Sequence, residues 1–443
     1  MSGSGKQADG YDRRALFWIC VLALFTAAIA FSLRTAASGA IKEAVFDPID
    51  PANSGRLIGD ALGAAFAGFA LSLLLVSPTL DILGAKRVLL AASLCFVAGP
   101  LLMAAAPGLG GSAHGGDLVY WGMALTGIGW GCTEGSINPV TAALYPAEKT
   151  KRLNMLHAWW PAGIIVGGLA SLLLFQEWNV DWRVAIALIA VPGFALGLWT
   201  MTQTFPETES SALGVSFASM IAEPFKHPSF WIFFVIMFLT ASTELAPGSW
   251  VDIALTQTVH MPGILVLVYV SAIMFVMRHF AGPLAKHFSD MGLLWFATIP
   301  AAIGLYLLGV ANSPVTALLA ATVWAFGVCF MWPTMLAAVA HRYPRGGSWT
   351  IGLVGFAGAM AIRFVLPVLG SIYDSAKLAR AGGEQAFAAL QKGPHLSEVL
   401  AYAATKSFQT VAIIPVVLFV IFALVSLAER RGKLGDRELS PAE

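Results

Sequence analysis

The chain has 443 residues, of which 58% are hydrophobic and 12% are charged, and its mean hydropathy is +0.75. Soluble domains carry about 25% charged residues, so this composition excludes an ordinary soluble protein and indicates a polytopic membrane protein. The net charge of +1 does not suggest the large basic surface of a nucleic-acid-binding protein. The four cysteines lie in apolar runs without metal-ligand spacing, so we predict small buried side chains, no metal site and no cofactor.

Twelve segments are long and apolar enough to cross a bilayer, which takes about 20 mainly apolar residues. They cover residues 15–40, 55–77, 87–106, 118–144, 153–175, 183–203, 229–254, 263–285, 292–311, 315–340, 348–371 and 408–428. The first follows a polar N-terminus without a small-residue cleavage site, so we interpret it as a transmembrane helix and not as a removed signal. The predicted fold is an all-α membrane protein.

A polar segment between the sixth and seventh spans divides the chain into two related halves. We predict an N-terminal six-helix half over 1–204, a cytoplasmic linker over 205–228 and a C-terminal six-helix half over 229–443. The halves echo one another, since a segment that begins and ends with proline closes the fourth span (139–146) and the tenth span (333–344). Two pseudo-symmetric halves with a substrate site between them are typical of transporters.

The distribution of Lys and Arg predicts the orientation. With the N-terminus in the cytoplasm, 16 of the 26 Lys and Arg residues fall in cytoplasmic segments and 7 fall outside. Positive charge favours the cytoplasmic side, so we expect both termini there, in a multi-pass protein of the cell (inner) membrane. The segment 372–407 is then an external loop, with a short amphipathic helix around Glu384–Gln391.

The fourth span contains the acid Glu134, four residues before Asn138-Pro139. Carboxylates inside a bilayer are costly and usually line substrate or proton paths. Glu134 is therefore the candidate proton carrier or substrate hydrogen-bond acceptor, with a structural ion pair or interhelical hydrogen bond as the alternative. Asn138 is either a substrate ligand or a side chain that repairs the helix at the proline.

Three further charged residues within the predicted spans are candidates for the substrate site. Arg34 is about 19 residues into the first span, roughly 28 Å along a helix, in the outer half of the membrane. Its planar fork suits a carboxylate or phosphate, but it is also placed to snorkel outwards or to pair with a fixed acid. Arg363 lies in the middle of the eleventh span, where we expect it to face a central cavity. Glu244 in the seventh span is its expected countercharge or a sugar-hydroxyl acceptor.

Tryptophans beside these positions are candidates for a platform on which sugar rings stack. They are Trp160, Trp250 and Trp332, and the alternative is a place in the aromatic belt at the membrane interface. His157 is expected to bond a hydroxyl or relay a proton, or to make an interhelical hydrogen bond. Glycines spaced along the fourth and eleventh spans predict closely approaching helices and not phosphate-binding loops.

The loop after the second span resembles the loop motif of the major facilitator superfamily. The residues in pattern are Asp81, Gly84, Lys86 and Arg87, and Ser77 stands where a glycine is common. Within the superfamily, the chain resembles the fucose permease type of sugar:proton symporters. That group carries a glutamate four residues before Asn-Pro in span four, as Glu134 stands here, and enters span five through Arg-Leu-Asn, as residues 152–154 do.

The second half carries the resemblance through three further segments. They are Thr243-Glu244 with Ser249-Trp250, Arg278-His-Phe-Ala-Gly282, and Trp332-Pro333-Thr334. The resemblance implies the twelve-helix major facilitator fold and assigns substrate contacts to the span-seven and span-ten segments. It also implies gating roles for the loop motif and for Arg278.

The first span departs from the fucose permease pattern. That group has an aspartate there that works with the span-four glutamate in proton coupling, whereas residues 31–38 contain Arg34 and no acid. A cation in place of an acid puts both the two-carboxylate coupling scheme and a neutral sugar substrate in question.

These observations predict a secondary active transporter that moves a small polar solute by alternating access with proton coupling, and they favour a sugar or sugar derivative as that solute. The alternatives are a carrier of an organic anion, such as a sugar acid held by Arg34 and Arg363, and an exporter of amphiphiles. A membrane-embedded enzyme or receptor is disfavoured because the spans contain no catalytic constellation. The expected partners are the solute, protons and the lipid bilayer, but no nucleic acid, and we expect a monomer.

Overall fold

The computed structural model describes residues 10–106, 113–145, 152, 155–206, 216–279, 290–391 and 393–430, and all regular structure in these ranges is helical. Apolar runs form helices because a bilayer core offers no water to the backbone, and a helix satisfies its own N–H and C=O groups. Within the described ranges, ten helical segments have the length and composition to cross a membrane. Ala113–Leu144 and the shorter Ile264–Arg278 complete the twelve. The predicted twelve-helix fold is confirmed.

The spans are labelled α1 to α12 in chain order. The first six are α1 (Arg13–Ile41), α2 (Ser54–Leu83), α3 (Ala85–Ala105), α4 (Ala113–Leu144), α5 (Trp159–Leu172) and α6 (Trp182–Ala187 with Ala190–Met201). The second six are α7 (Pro228–Val259), α8 (Ile264–His279), α9 (Asp290–Val310), α10 (Pro314–Val328 with Met331–Arg342), α11 (Gly347–Ala381) and α12 (Pro394–Val411 with Ile413–Arg430). A short helix, Phe217–Lys226, lies in the predicted linker.

The segment 372–407 is helical over most of its length, so the prediction of a loop there is wrong, and its external position stays a prediction. Helix α11 continues to Ala381, and α12 already begins at Pro394. The connection that remains between them is short. It contains a helix over Glu384–Ala388, where a short amphipathic helix was predicted. Hydropathy did not predict these extensions because they are polar. A helix that projects beyond the hydrocarbon layer no longer needs an apolar sequence.

The helices pack in two groups. Helices α1 to α6 contact mainly one another, as do α7 to α12. The two groups meet through α2 against α11, α5 against α8 and α1 against α7, and the α2–α11 contact is the most extensive in the molecule. The domain limits at residues 204 and 228 stay a prediction.

Glycines allow α2 to pack closely on both sides, as the glycine spacing predicts. A methyl group on Gly127 of α4 would overlap the carbonyl oxygen of Ala65 in α2. A methyl group on Gly370 of α11 would overlap the carbonyl oxygen of Gly55 at the start of α2. Helix α2 is therefore held at backbone distance by its own half and by the other half.

Two buried charges of α11 hold the start of α2. We call the side of the bundle with the connection between α1 and α2, residues 42–53, the far side; this connection begins with a π-helical turn, Lys42–Phe46. There the Asp374 carboxylate accepts hydrogen bonds from the backbone N–H of Gly55 at 3.3 Å and of Arg56 at 2.8 Å. Lys377 lies 2.6 Å from Asp374 and donates to the carbonyl of Pro51 at 3.2 Å. Since free N–H groups at a helix start attract negative charge, Asp374 caps α2 from the opposite half.

The far side is also closed between α1 and α7. The Asp252 carboxylate of α7 accepts a hydrogen bond from the backbone N–H of Gly39 at 3.1 Å. Gly168 of α5 leaves room for Val268 of α8 at the third contact between the halves. The three main helix pairs that join the halves are thus in close contact toward the far side.

Candidate functional site

Arg34 of α1 lies buried between the two halves, with 3% of its surface exposed. Its Nη1 atom has no hydrogen-bond partner, and it forms no ion pair with any residue that the structure describes. The cavity beside it is lined by Phe31, Arg34, Thr35, Leu62, Ala65, Phe66, Met123 and Ser249. Burial excludes snorkelling of Arg34, and the missing partner excludes a fixed acid from the described part of the chain. A buried, uncompensated charge costs several kcal/mol, so this pocket has the chemistry to take up an anion.

Six aromatic rings form a continuous cluster next to this cavity. They belong to Phe31, Phe66, Phe69, Trp130, Trp160 and Trp332. Trp130 stacks on Trp160 with ring centroids 4.6 Å apart and planes at 16°, and on Phe69 at 4.2 Å and 1°. Trp332 of α10 stacks on Phe69 at 6.3 Å and brings the second half into the cluster. The structure therefore brings the predicted Trp160 and Trp332 together.

Trp250 does not belong to this aromatic cluster. It is 1% exposed and makes an edge contact with Tyr373 of α11, with ring centroids 6.2 Å apart. Its Nε1 atom has no hydrogen-bond partner. The preceding residue, Ser249, lines the cavity of Arg34, and its hydroxyl donates to the carbonyl of Leu245 at 3.1 Å.

Glu134, Asn138 and His157 form a hydrogen-bonded chain. The Asn138 Nδ2 atom donates to the Glu134 carboxylate at 3.3 Å and to the Glu134 carbonyl at 3.2 Å. The Asn138 Oδ1 atom lies 2.8 Å from Nε2 of His157. Asn138 thus both supports the helix before Pro139 and links the acid to the imidazole. Among the described residues, no cation forms a salt bridge with Glu134.

Glu244 of α7 pairs with Arg278 of α8, so the prediction that Arg363 is its countercharge is wrong. The Glu244 and Arg278 side chains are 3.5 Å apart, and Glu244 also accepts from the backbone N–H of Trp332 at 3.2 Å. Arg278 donates from Nε to the carbonyl of Cys329 at 3.1 Å. This arrangement arises because α7, α8 and α10 meet within one half. His157 interacts electrostatically with both Glu134 and Arg278, so the two clusters lie close to each other.

Arg363 pairs instead with Asp60 of α2, across the boundary between the halves. Its Nη1 atom lies 2.9 Å from the Asp60 carboxylate. Asp60 also lies 3.3 Å from Arg56, one turn earlier on α2. Arg363 is not among the residues that line the cavity of Arg34.

The predicted gating-loop residues lie at the junction of α2 and α3. Asp81 is in the last turn of α2, and Gly84 follows with a φ of 77°, a conformation that glycine adopts without strain. Lys86 donates to the carbonyls of Met201 and Gln203 at 2.8 Å each, which fastens α3 to the end of α6. Arg87 lies 3.4 Å from the carbonyl of Leu83. The gating role of this loop stays a prediction.

Five residues of these clusters were not predicted from the sequence. They are Phe31, Asp60, Phe66, Phe69 and Trp130. Asp60 carries a usable signal, because it is an acid within an apolar span. The aromatic residues carry none, since only the packing of α1, α2, α4 and α5 brings them together. In the part of the chain that the structure describes, no three His, Cys, Asp or Glu side chains are grouped as metal ligands would be.

Comparison with known proteins gives the family. The family model of the Major Facilitator Superfamily matches residues 20–367, which is most of the chain. A sequence comparison with curated proteins finds no match.

Solved structures of this fold superpose on nearly the whole chain. The xylose transporter XylE from E. coli gives a TM-score of 0.71 at 14% identity and covers 93% of this chain and 99% of its own. The human organic anion transporter MFSD10 gives 0.62 at 15% identity, with 93% and 99% covered. The E. coli fucose:proton symporter FucP gives 0.59 at 15% identity, with 92% and 98% covered. At such identities the likeness shows the fold alone, and with the family match it leads to one conclusion: this chain is a member of the major facilitator superfamily.

Proposed function

We propose that this transporter carries a small organic anion, such as a sugar acid or another carboxylate with a polar body, by alternating access. The observation that carries the proposal is Arg34, a buried guanidinium without a hydrogen bond or ion pair among the described residues. An arginine offers five N–H donors in a planar fork that fits both oxygens of a carboxylate. A bound anion would supply the countercharge that the described residues around Arg34 do not provide.

The cavity of Arg34 has room for about one water molecule here, so a substrate would enter only when the halves separate, and the side chains around Arg34 would then suit one charged end. Thr35 and Ser249 contribute hydroxyl groups, and Phe31 and Phe66 contribute apolar ring faces. Each hydrogen bond between a charged group and its partner contributes about 1.5–3 kcal/mol, so the carboxylate would supply most of the binding free energy. The hydroxyls and ring faces would then select the body of the substrate.

A neutral sugar is the second candidate, and the aromatic cluster favours it. The C–H faces of a sugar ring pack on aromatic faces, and Trp332 is a half-buried ring at the edge of the cluster between the halves. XylE and FucP are sugar transporters with the same fold. A neutral sugar, however, would leave Arg34 without a countercharge, so a sugar acid accounts for both features.

We assign proton coupling to Glu134. Its described partner is the neutral amide of Asn138, so it is able to gain and lose a proton without breaking a salt bridge. Asn138 connects Glu134 to His157, and His157 interacts electrostatically with Arg278 in the other half. Protonation of Glu134 would remove a charge from the site before the loaded carrier closes. This would lower the free-energy cost of moving the loaded site through the occluded state.

The remaining parts of the proposal follow from the family and the charge distribution. We place the chain in the cell (inner) membrane, with both termini in the cytoplasm and the far side outside. We infer a carrier and not an enzyme, acting as a monomer on a small solute and protons.

Uptake into proteoliposomes tests the substrate class. Vesicles preloaded with unlabelled solute exchange it for the labelled compound, and the panel consists of glucuronate, gluconate and glucose. We expect the wild type to exchange at least one acid and to exchange glucose at least ten times more slowly. Arg34→Gln should lose most of the acid exchange, because the neutral amide cannot balance a carboxylate.

Arg183→Gln is the matched control, because Arg183 is an exposed arginine paired with Asp181 outside the cavity. It should exchange the acids as the wild type does. Faster exchange of glucose than of every acid by the wild type would contradict the anion proposal and favour the neutral sugar. Acid exchange that survives in Arg34→Gln would remove Arg34 from the binding site.

A further inference from the structure

We propose that Glu244 and Arg278 are positioning residues for Trp332. They hold the two ends of a break in helix α10, and through this break they fix Trp332 at the boundary between the halves. This role does not depend on which solute the carrier moves, and only its effect on transport rests on the proposed function.

Helix α10 ends its first part at Val328 and begins its second part at Met331. Pro333 is the third residue of the second part and has no backbone N–H, so it cannot donate to the carbonyl of Cys329, four residues earlier. Trp332 is the second residue of that part, and the first N–H groups of a helix have no partner within it. The break therefore leaves one backbone acceptor and one backbone donor without helical partners.

A proline alone does not interrupt a membrane helix in this protein. Pro139 stands at the corresponding place in the first half, and α4 continues through it from Ala113 to Leu144. The side chain of Asn138 donates there to the carbonyl of Glu134 at 3.2 Å. Pro333 by itself therefore does not explain the break in α10, and the charged groups that meet the break supply the further cause.

The Glu244–Arg278 pair provides both missing partners. Arg278 donates from Nε to the Cys329 carbonyl at 3.1 Å, and the Glu244 carboxylate accepts from the Trp332 N–H at 3.2 Å. Each charge also has the sign that its helix end favours, because the C-terminal end of a helix is negative and the N-terminal end is positive. The two side chains are 3.5 Å apart, so one ion pair joins both ends of the break.

The first part of α10 is bonded to the same turn of α7. Trp324 is buried, and its Nε1 atom donates to the carbonyl of Thr243 at 3.3 Å. Thr243 directly precedes Glu244, which bonds the second part. Both parts of α10 are thus held by neighbouring residues of α7, and this fixes the direction of the second part relative to the first.

That direction decides where the ring of Trp332 lies. The ring stacks on Phe69 of α2 with centroids 6.3 Å apart and planes at 27°, so it is a contact between the halves. Gly358 of α11 also borders the ring, since a methyl group on this glycine would lie 2.7 Å from it. The stacking of two rings is a weak contact, so the position of Trp332 depends on the backbone that carries it.

Fluorine NMR of the full-length protein in detergent tests this role, with 5-fluorotryptophan in place of tryptophan. Trp332→Phe identifies the Trp332 resonance by its loss, and Phe69→Leu gives its position without the stacked ring. The variant Glu244→Met/Arg278→Met removes the donor and the acceptor but keeps the volume of the side chains. We expect it to shift the Trp332 resonance toward the position in Phe69→Leu.

Arg380→Met/Glu398→Met is the matched control, because it removes an arginine–glutamate pair of the same half that is exposed and joins α11 to α12. It should keep the wild-type resonance of Trp332. A wild-type resonance in Glu244→Met/Arg278→Met would overturn the proposal, and so would an equal shift in the control.

Exchange of the two charges separates positioning from ion pairing. In Glu244→Arg/Arg278→Glu the charges are still able to pair, but arginine offers no acceptor to the Trp332 N–H and glutamate offers no donor to the Cys329 carbonyl. We expect the shifted resonance here as well. A wild-type resonance in this variant would show that ion pairing alone suffices, and it would overturn the proposal. If this variant does not fold, the methionine variant decides.

The exchange assay in proteoliposomes measures the effect on transport. Glu244→Met/Arg278→Met should exchange the solute of the wild type several-fold more slowly at saturating concentration, and the control should exchange it at the wild-type rate. A shifted Trp332 resonance with an unchanged exchange rate would overturn the role of the pair in transport. A wild type that exchanges no solute of the panel would contradict the proposed function alone, because the fluorine signal requires no solute.

Discussion

Arg34 and Arg278 are both arginines within membrane-spanning helices, but the protein provides partners for only one of them. Arg278 bonds Glu244 and the carbonyl of Cys329. Arg34 has neither a hydrogen bond nor an ion pair among the described residues, although it is the more deeply buried of the two. The partners of a membrane charge, and not its depth, therefore distinguish a structural ion from one that is available to a ligand.

The largest expected effect is on the paired arginine. Arg278→Gln leaves the buried carboxylate of Glu244 without its countercharge, and removal of one partner of a buried ion pair costs about 3–5 kcal/mol. We expect the thermal unfolding midpoint of the protein in detergent to fall by several degrees. The double variant Glu244→Gln/Arg278→Gln should recover much of this loss, whereas an unchanged midpoint in the single variant would show that the pair contributes no stability.

The unpaired arginine should behave in the opposite way. Arg34→Gln removes a buried charge that no described residue balances, so we expect the ligand-free protein to gain about 1–3 kcal/mol of stability. The measurement is the unfolding midpoint without substrate, with Arg183→Gln as the surface control. A midpoint that falls as much as in Arg278→Gln would mean that the protein itself balances Arg34, and the contrast between the two arginines would be lost.

Glu134 and Glu244 extend the comparison to the acids, and the expected effect is smaller. Under one unit of pH difference across the membrane, one coupled proton supports about tenfold accumulation, equivalent to about 1.4 kcal/mol. Glu134→Gln should reduce accumulation to the equilibrium level while exchange of preloaded substrate continues. Continued accumulation by this variant would exclude Glu134 as the coupling residue.

The fold was predictable because it depends on the apolar runs themselves. Each of the twelve runs produced a helix, since a bilayer permits few other backbone arrangements. The ends were less predictable. Helix α12 begins at Pro394, well before its apolar core. The sequence did not predict this start, because a helix that projects beyond the bilayer has the same hydropathy as a loop.

The residues of the candidate site were predictable by type, but their pairing was not. A charged residue within an apolar run is recognisable from the sequence, as Glu134, Arg34 and Glu244 are. Which charges meet depends on how helices far apart in the chain rotate and pack, and this led to the wrong pairing of Glu244 with Arg363. The stacking of Trp130 between Phe69 and Trp160 depends on three helices and has no signature in any of them.

The aromatic cluster has an optical consequence. Trp130 and Trp160 are nearly parallel at 4.6 Å and belong to the same half, so their electronic transitions couple, and this near-ultraviolet signal should stay constant while the halves move. Trp332 meets Phe69 across the boundary between the halves, so its surroundings, and with them its emission wavelength, should change as the carrier opens and closes. The cluster therefore contains a steady reference and a moving indicator, and a variant that keeps only these three of the fourteen tryptophans should report the movement of the halves without an added label.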